Sequence, residues 1–283
     1  MTSSLQQFHA LLQGRSTTRE VVLSEDRVIS VGVLTPHAAG GPAAELSDMA
    51  PGRVLTRVSR IPAPGADKSA PGTPPTSPSG LRLLTAPSAL DRAAAHLAGA
   101  SVDVIGYAST STGYAIGSVA EAAMLERLSQ RWSLPVAGTS LSAGAAMRAL
   151  DVGRVALVHP PWFDDQLNDL GATYFRSQGF EVVSSESAEL PNDPGRIEPG
   201  AIVEWISRHL SDDAEAVFIG GTGLRAARAI EALEERSGRP VLESNQVLLW
   251  SILATVDADF RIGGYGRLLG QRPSIVPAPS TST

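Results

Sequence analysis

Short runs of aliphatic and β-branched residues recur along the chain: "RVISVGVL", "VLTRVSRI", "VDVIGYA", "LPVAG", "RVALVH", "FEVVSS", "AVFIGG" and "RPVLES". Each is too short for a typical helix and is bounded by Gly, Pro, Ser or Asp, so each predicts a strand. Between several of them lie amphipathic segments, many rich in alanine: "SALDRAAAHLAG", "IGSVAEAAMLERLSQRW", "SLSAGAAMRALD", "DDQLNDLGATYFRSQG", "GAIVEWISRHLS" and "GLRAARAIEALEERSG". Alternation of strand and helix requires crossover connections, and these predict an α/β protein with mostly parallel sheets.

The order of these segments repeats. "ISVGVLTPH" answers "GRVALVHPP", "VDVIGYASTSTGY" answers "EAVFIGGTGLR", and "RWSLPVAGTSLSAG" answers "RSGRPVLESNQVLLW". Three matches in the same order predict a duplication. The expected organisation is two pseudo-symmetric doubly wound units, residues 25–136 and 151–255, with a ligand cleft between them. Residues 137–150 form a bridging helix, 1–24 an N-terminal tail, and 256–283 a C-terminal segment and tail. The stretch 62–80, "PAPGADKSAPGTPPTSPSG", is too rich in Pro, Gly and Ser for a regular element and reads as a long loop, either a solvated insertion or a lid.

Composition removes several function classes. A formal charge of -6 and a pI near 5.4 leave no basic footprint for nucleic acid. No run of about 18 apolar residues marks a membrane span, and the start of the chain has no signal-peptide pattern, so a cytoplasmic protein is expected. The 283 residues include no cysteine, which excludes disulfides, thiolate metal sites and a cysteine nucleophile or acid. A phosphate fingerprint is lacking too: "GGTGLR" misses the G-x-G-x-x-G spacing, and neither G-x-S-x-G nor H-E-x-x-H occurs. No metal and no cofactor are therefore expected, and a homo-oligomer is left open.

Ligands of open α/β sheets bind beyond the carboxyl ends of the strands. Two matched strand ends stand out: Ser109, Thr110 and Ser111 after "VIGYA", and Gly220, Gly221, Thr222 and Gly223 after "AVFI". Each group is expected to precede a helix, where free N–H groups and hydroxyls suit a carboxylate; the plainer alternative is that they only cap helices and make turns. His37 and His159 follow the matched first strands of the two units and are candidates for moving a proton or contacting a ligand, as imidazole titrates near neutral pH. Tyr114 is a candidate polar contact.

With these segments in this order, the chain resembles the aspartate/glutamate racemase superfamily, in its maleate cis-trans isomerase and arylmalonate decarboxylase branch, over roughly residues 28–255. The resemblance implies a pocket between pseudo-symmetric halves that holds a small carboxylate, with a cysteine on each half. Those two positions fall on Ser109 and Gly221, and the decarboxylase branch keeps only the second thiol. The isomerases' first-strand asparagine falls near Ala38 or Ala39. The resemblance further implies an isomerase, decarboxylase or other lyase, which here would act through an enediolate-like intermediate without a thiol. Ser109 and His37 are the expected catalytic residues, and Thr110, Ser111, Tyr114, His159, Gly221, Thr222 and Gly223 the expected binding residues. A catalytically inactive carboxylate-binding protein and a serine-based addition at Ser109 are the alternatives.

Overall fold

The computed structural model describes residues 27–36, 41–62 and 77–273. His37, Ala38, Ala39 and most of the 62–80 loop lie outside the described residues.

All eight expected strands are present. In the first unit β1 (Ile29–Thr35), β2 (Val54–Arg60), β3 (Val104–Tyr107) and β4 (Val136–Gly138) form a parallel sheet of order β2-β1-β3-β4. In the second, β5 (Arg154–His159), β6 (Glu181–Ser187), β7 (Ala216–Ile219) and β8 (Val241–Glu243) repeat that order as β6-β5-β7-β8. The central strands are buried on both faces, which is why they read as unbroken apolar runs.

Crossover helices cover the sheets. The first unit contributes α1 (Gly41–Met49), α2 (Pro78–Leu83), α3 (Pro87–Gly99), α4 (Thr110–Ile116), α5 (Ser118–Trp132) and α6 (Thr139–Ala149). The second contributes α7 (Asp165–Arg176), α8 (Pro199–His209), α9 (Ile230–Ser237), α10 (Ser244–Thr255) and the short α11 (Gly266–Leu269). Of these, α1, α2, α4, α10 and α11 have no counterpart among the amphipathic segments, and α10 is the longest of them. Every residue of α10 from Ser244 to Leu253 is buried, so no polar stripe exposes its helical period. It packs against α6 and covers β3, where a Cβ on Gly106 would stand 3.0 Å from the Ile252 side chain. No described helix is long and apolar enough to cross a membrane.

The strand registers set equivalent positions in the two units. Val31 pairs with Val104 as Val155 pairs with Ala216, so Tyr107 corresponds to Ile219, Ser109 to Gly221 and Thr110 to Thr222. By the same registers Thr35 corresponds to His159 and Pro36 to Pro160. Tyr107 pairs with Gly138 as Ile219 pairs with Glu243, which places α6 and α10 in equivalent positions.

One expectation about these equivalents fails. After β3 the chain enters α4 at once, but residues 220–226 after β7 stay irregular and are followed by a single 3-10 turn, Ala227–Ala229, before α9. Positive φ at Gly221 (85°) and Arg225 (56°) takes the backbone out of the right-handed helical region. The second strand end therefore has a loop where a helix N-terminus was expected.

Candidate functional site

The two strand-end segments meet at the carboxyl edges of the sheets. Ser109 has extended backbone (φ -159°, ψ 104°), and its Oγ accepts from the Thr112 N–H at 3.4 Å, so it N-caps α4. The same Oγ lies 2.6 Å from Thr112 Oγ1. Among the described residues no basic side chain is bonded to this hydroxyl, so nothing described there activates it for addition.

Thr110 ties the halves together. The Gly221 N–H donates to Thr110 Oγ1 at 3.2 Å, and Thr110 Oγ1 lies 3.2 Å from Ser244 Oγ, which donates to the Ile219 carbonyl at 3.0 Å. Each hydroxyl has one proton; since that of Ser244 goes to Ile219, Thr110 is the donor to Ser244. The result is a directed chain from Gly221 N–H through two hydroxyls to the end of β7. The equivalent of Ser244, Thr139, donates to the Tyr107 carbonyl at 3.2 Å, and Ser140 donates to the Thr110 carbonyl at 3.1 Å. Thr222 closes the contact from its side, donating to the Ala108 carbonyl at 3.4 Å. Ser109, Thr110 and Thr222 are all buried, while Ser111 and Gly223 keep partial exposure.

Gly221 cannot carry a side chain here without movement. Besides its positive φ, a Cβ would fall 2.4 Å from Pro160 Cγ. The ring of Pro160, directly after β5, fills the space.

His159 and Tyr114 lie behind the neighbouring Gly220. His159 has no exposed surface; its ring stacks on Phe163 at a centroid distance of 5.5 Å and meets Tyr114 edge-on at 5.5 Å. Its Nε2 lies 3.3 Å from Ser185 Oγ, whose own proton goes to the Asn168 carbonyl at 2.8 Å. Nε2 therefore carries the proton, and Nδ1 is a bare acceptor with no partner among the described residues. Burial pushes the imidazole down to about 3, so it is neutral at neutral pH. The Cβ position of Gly220 would be 2.7 Å from His159 Nδ1 and 3.3 Å from Tyr114 Oη, which also lacks a partner among the described residues. An unfilled acceptor and an unfilled donor thus face the same glycine.

Three buried carboxyls escaped the reading of the sequence. Glu121 on α5 accepts from the Tyr174 hydroxyl and from the Ser140 and Leu141 N–H groups at the start of α6, and burial raises it to about 7. The backbone makes room for it with Gly113 and Gly138, whose Cβ atoms would lie 2.6 and 2.8 Å from its oxygens. Glu243, at the end of β8, caps α10, and Glu45 on α1 reaches the same region. On an amphipathic pattern a lone Glu reads as a solvent-facing residue. The only signal available was Glu243 followed by Gln246, a capping-box spacing. Among the described residues no three His, Asp or Glu side chains gather as a metal site.

Comparison with known proteins gives the family and the fold. The family model of arylmalonate decarboxylase matches residues 87–269. The maleate isomerase of Pseudomonas putida is 28% identical over 187 residues, 63% of this chain and 74% of that protein, and the maleate isomerase of Nocardia farcinica is 29% identical over 209 residues, 70% of this chain and 81% of that protein. Among solved structures, a Pseudomonas putida maleate isomerase superposes with a TM-score of 0.75 at 24% identity, covering 86% of this chain and 99% of that one. Unliganded arylmalonate decarboxylase superposes with a TM-score of 0.71 at 21% identity, covering 86% and 99%. The family match begins after β2 and runs through β3–β8 to α11, and by it the chain belongs to the arylmalonate decarboxylase family.

Proposed function

We propose that this protein acts on a small mono- or dicarboxylic acid through an enediolate-like intermediate, as an isomerase, decarboxylase or other lyase without a catalytic cysteine. The observation that carries this reading is the bond from Gly221 N–H to Thr110 Oγ1, which brings the strand ends of the two units into direct contact. In a family whose relatives include maleate isomerases, that contact supports reading the cleft between the strand ends as a carboxylate site.

In this reading residues 25–136 and 151–255 form the two walls of the cleft and 137–150 joins them. Ser109, Ser111 and the 222–223 backbone offer the anion hydroxyl and N–H donors, which gain strength where water is excluded, and Thr110 and the Gly221 N–H, bonded to Ser244 and to each other, hold the two strand ends beside it. Tyr114 adds a hydroxyl at Gly220. A relative's structure holds a covalently bound succinylcysteine intermediate. This chain has no cysteine, and the thiol positions implied by the resemblance fall on Ser109, a helix cap, and Gly221, where Pro160 fills the space. The proton must then travel on an oxygen or nitrogen acid. His159 is neutral and buried, which leaves His37 as the histidine assigned to that step.

A binding protein without turnover is the second reading. It is favoured by Ser109, whose hydroxyl is engaged in the cap, and by Thr110, whose proton is committed to Ser244. Incubation with malonate, methylmalonate, phenylmalonate, maleate and succinate in deuterated water, followed by proton NMR, separates the two. Deuterium at the α-carbon, isomerised product or released carbon dioxide is expected for the enzyme. Binding seen by calorimetry with unchanged acids throughout would establish the binding protein instead.

A further inference from the structure

Glu45 and Glu243 lie in one buried cluster joined by Asn245. Glu45 Oε1 accepts from the Ala227 N–H at 3.0 Å and its Oε2 from Asn245 Nδ2 at 2.6 Å. The same Asn245 Nδ2 donates to the Thr222 carbonyl at 3.0 Å, so one amide nitrogen links the acid to the loop after β7. Glu243 Oε2 accepts from the N–H groups of Asn245 and Gln246 at 2.8 and 3.0 Å. Glu243 Oε1 and Asn245 Oδ1 are buried and have no partner among the described residues.

Two carboxylates in such a place cannot both be ionised without a cation, and neither forms an ion pair among the described residues. The titratable and charged groups around them are Arg225 on the loop, Asp48 on α1 and its ion-pair partner Arg228, and Tyr265 ahead of α11. Arg225 favours ionised Glu45 and Asp48 opposes it. Of the elements packed against β8, α6 has no titratable residue in its first turn, while α9 brings Glu234, which accepts from the Val241 and Arg267 N–H groups and is raised by burial, and α11 brings Arg267. Burial raises Glu45 to about 7, and burial with the neighbouring Glu45 charge raises Glu243 well above the usual carboxylate range.

The hydrogen bonds assign the proton. Both oxygens of Glu45 are occupied as acceptors by N–H donors, which suits a carboxylate. Glu243 has both donors on one oxygen and none on the other, which suits a neutral acid with its hydroxyl on Oε1. We propose that Glu45 and Glu243 hold one proton between them at neutral pH, on Glu243 Oε1, and that the charge of this pair tunes the thiol-free site through Asn245 and the Thr222 carbonyl. The tuning role rests on the function proposed above; the shared proton stands on the cluster alone. Glu45 and Glu243 act through the loop and are positioning residues.

The test uses the full chain with Glu243→Gln, Glu45→Gln and Glu45→Asp. Glutamine mimics the neutral acid at 243, so Glu243→Gln is expected to keep the wild-type urea midpoint at neutral pH and to resist the decline in midpoint that wild type shows as pH rises. Glu45→Gln removes one of two occupied acceptors and is expected to lower the midpoint at neutral pH. In the infrared, the protonated-carboxyl C=O band of wild type at neutral pH should lose intensity in Glu243→Gln, the part that remains belonging to Glu121. A midpoint for Glu243→Gln as low as that for Glu45→Gln, or a band unchanged in Glu243→Gln, would overturn the shared proton. The tuning is read from the pH profile of α-carbon exchange on whichever probe acid turns over: Glu243→Gln and Glu45→Asp should move its midpoint, and a profile identical to wild type in both would sink the tuning role. If wild type exchanges none of the acids, the tuning role falls together with the proposed function, while the band and midpoints still decide the shared proton.

Discussion

Gly221→Ala puts the geometry of the second strand-end loop to a direct test. Two costs act at once. The residue has φ +85°, a backbone conformation that costs an L-residue roughly 1–2 kcal/mol. Its new Cβ would fall 2.4 Å from Pro160 Cγ and 2.8 Å from Cδ. Overlap of that kind in a packed interior typically costs about 1–3 kcal/mol after relaxation. The sum is a loss of about 2–5 kcal/mol, read from urea unfolding followed by circular dichroism at constant slope. Adding Pro160→Ala should recover the overlap and leave only the backbone cost of roughly 1–2 kcal/mol. A Gly221→Ala protein within about 0.5 kcal/mol of wild type, the range of ordinary surface changes, would contradict both costs. Full recovery in the double variant would contradict the first, because backbone strain cannot be relieved at Pro160. Gly221→Cys should suffer the same loss, so a thiol at this position would also require the turn after β5 to be rebuilt.

Ser109→Ala removes a helix cap and leaves Thr112 without its hydroxyl partner, so stability should fall by about 0.5–2 kcal/mol; if Ser109 also serves the ligand, carboxylate affinity measured by calorimetry should fall by about 1–3 kcal/mol on the folded fraction. Glu121 is raised from 4.5 to about 7 by burial, so its contribution is fully present below pH 4.5 and is lost as pH rises through 7. At about 1.36 kcal/mol per unit, the loss is on the order of 3 kcal/mol above pH 7. Glu121→Gln should remove that part of the slope in urea unfolding measured on either side of neutrality, and an unchanged slope would show that Glu121 is not the group responsible.

Much of the architecture was legible because it depends on local pattern. The eight strands are short apolar runs whose length and flanking turns suffice to mark them, and the repeated order of three segments revealed the duplication before any contact was known. The hydroxyl-rich and glycine-rich strand ends were visible for the same reason. The short helices α1, α2 and α11 left no amphipathic pattern, and the longer α10 stayed hidden too, since a helix buried all round has no period to show.

Other features exist only in three dimensions. Glu45 and Asn245 are 200 positions apart and Thr110 and Gly221 are 111 apart, so no spacing rule connects either pair. The neutrality of His159 comes from Phe163, Tyr114 and Ser185 closing around it, and its tautomer from where the Ser185 proton goes. Strands, repeat and the absence of thiols are properties of residue type and local order, and they can be read along the chain without knowing any contact. Which acids are buried together, which strand end becomes a helix and where a side chain has no room are different in kind: burial, dielectric and steric overlap are set by neighbours that the folded chain brings from elsewhere.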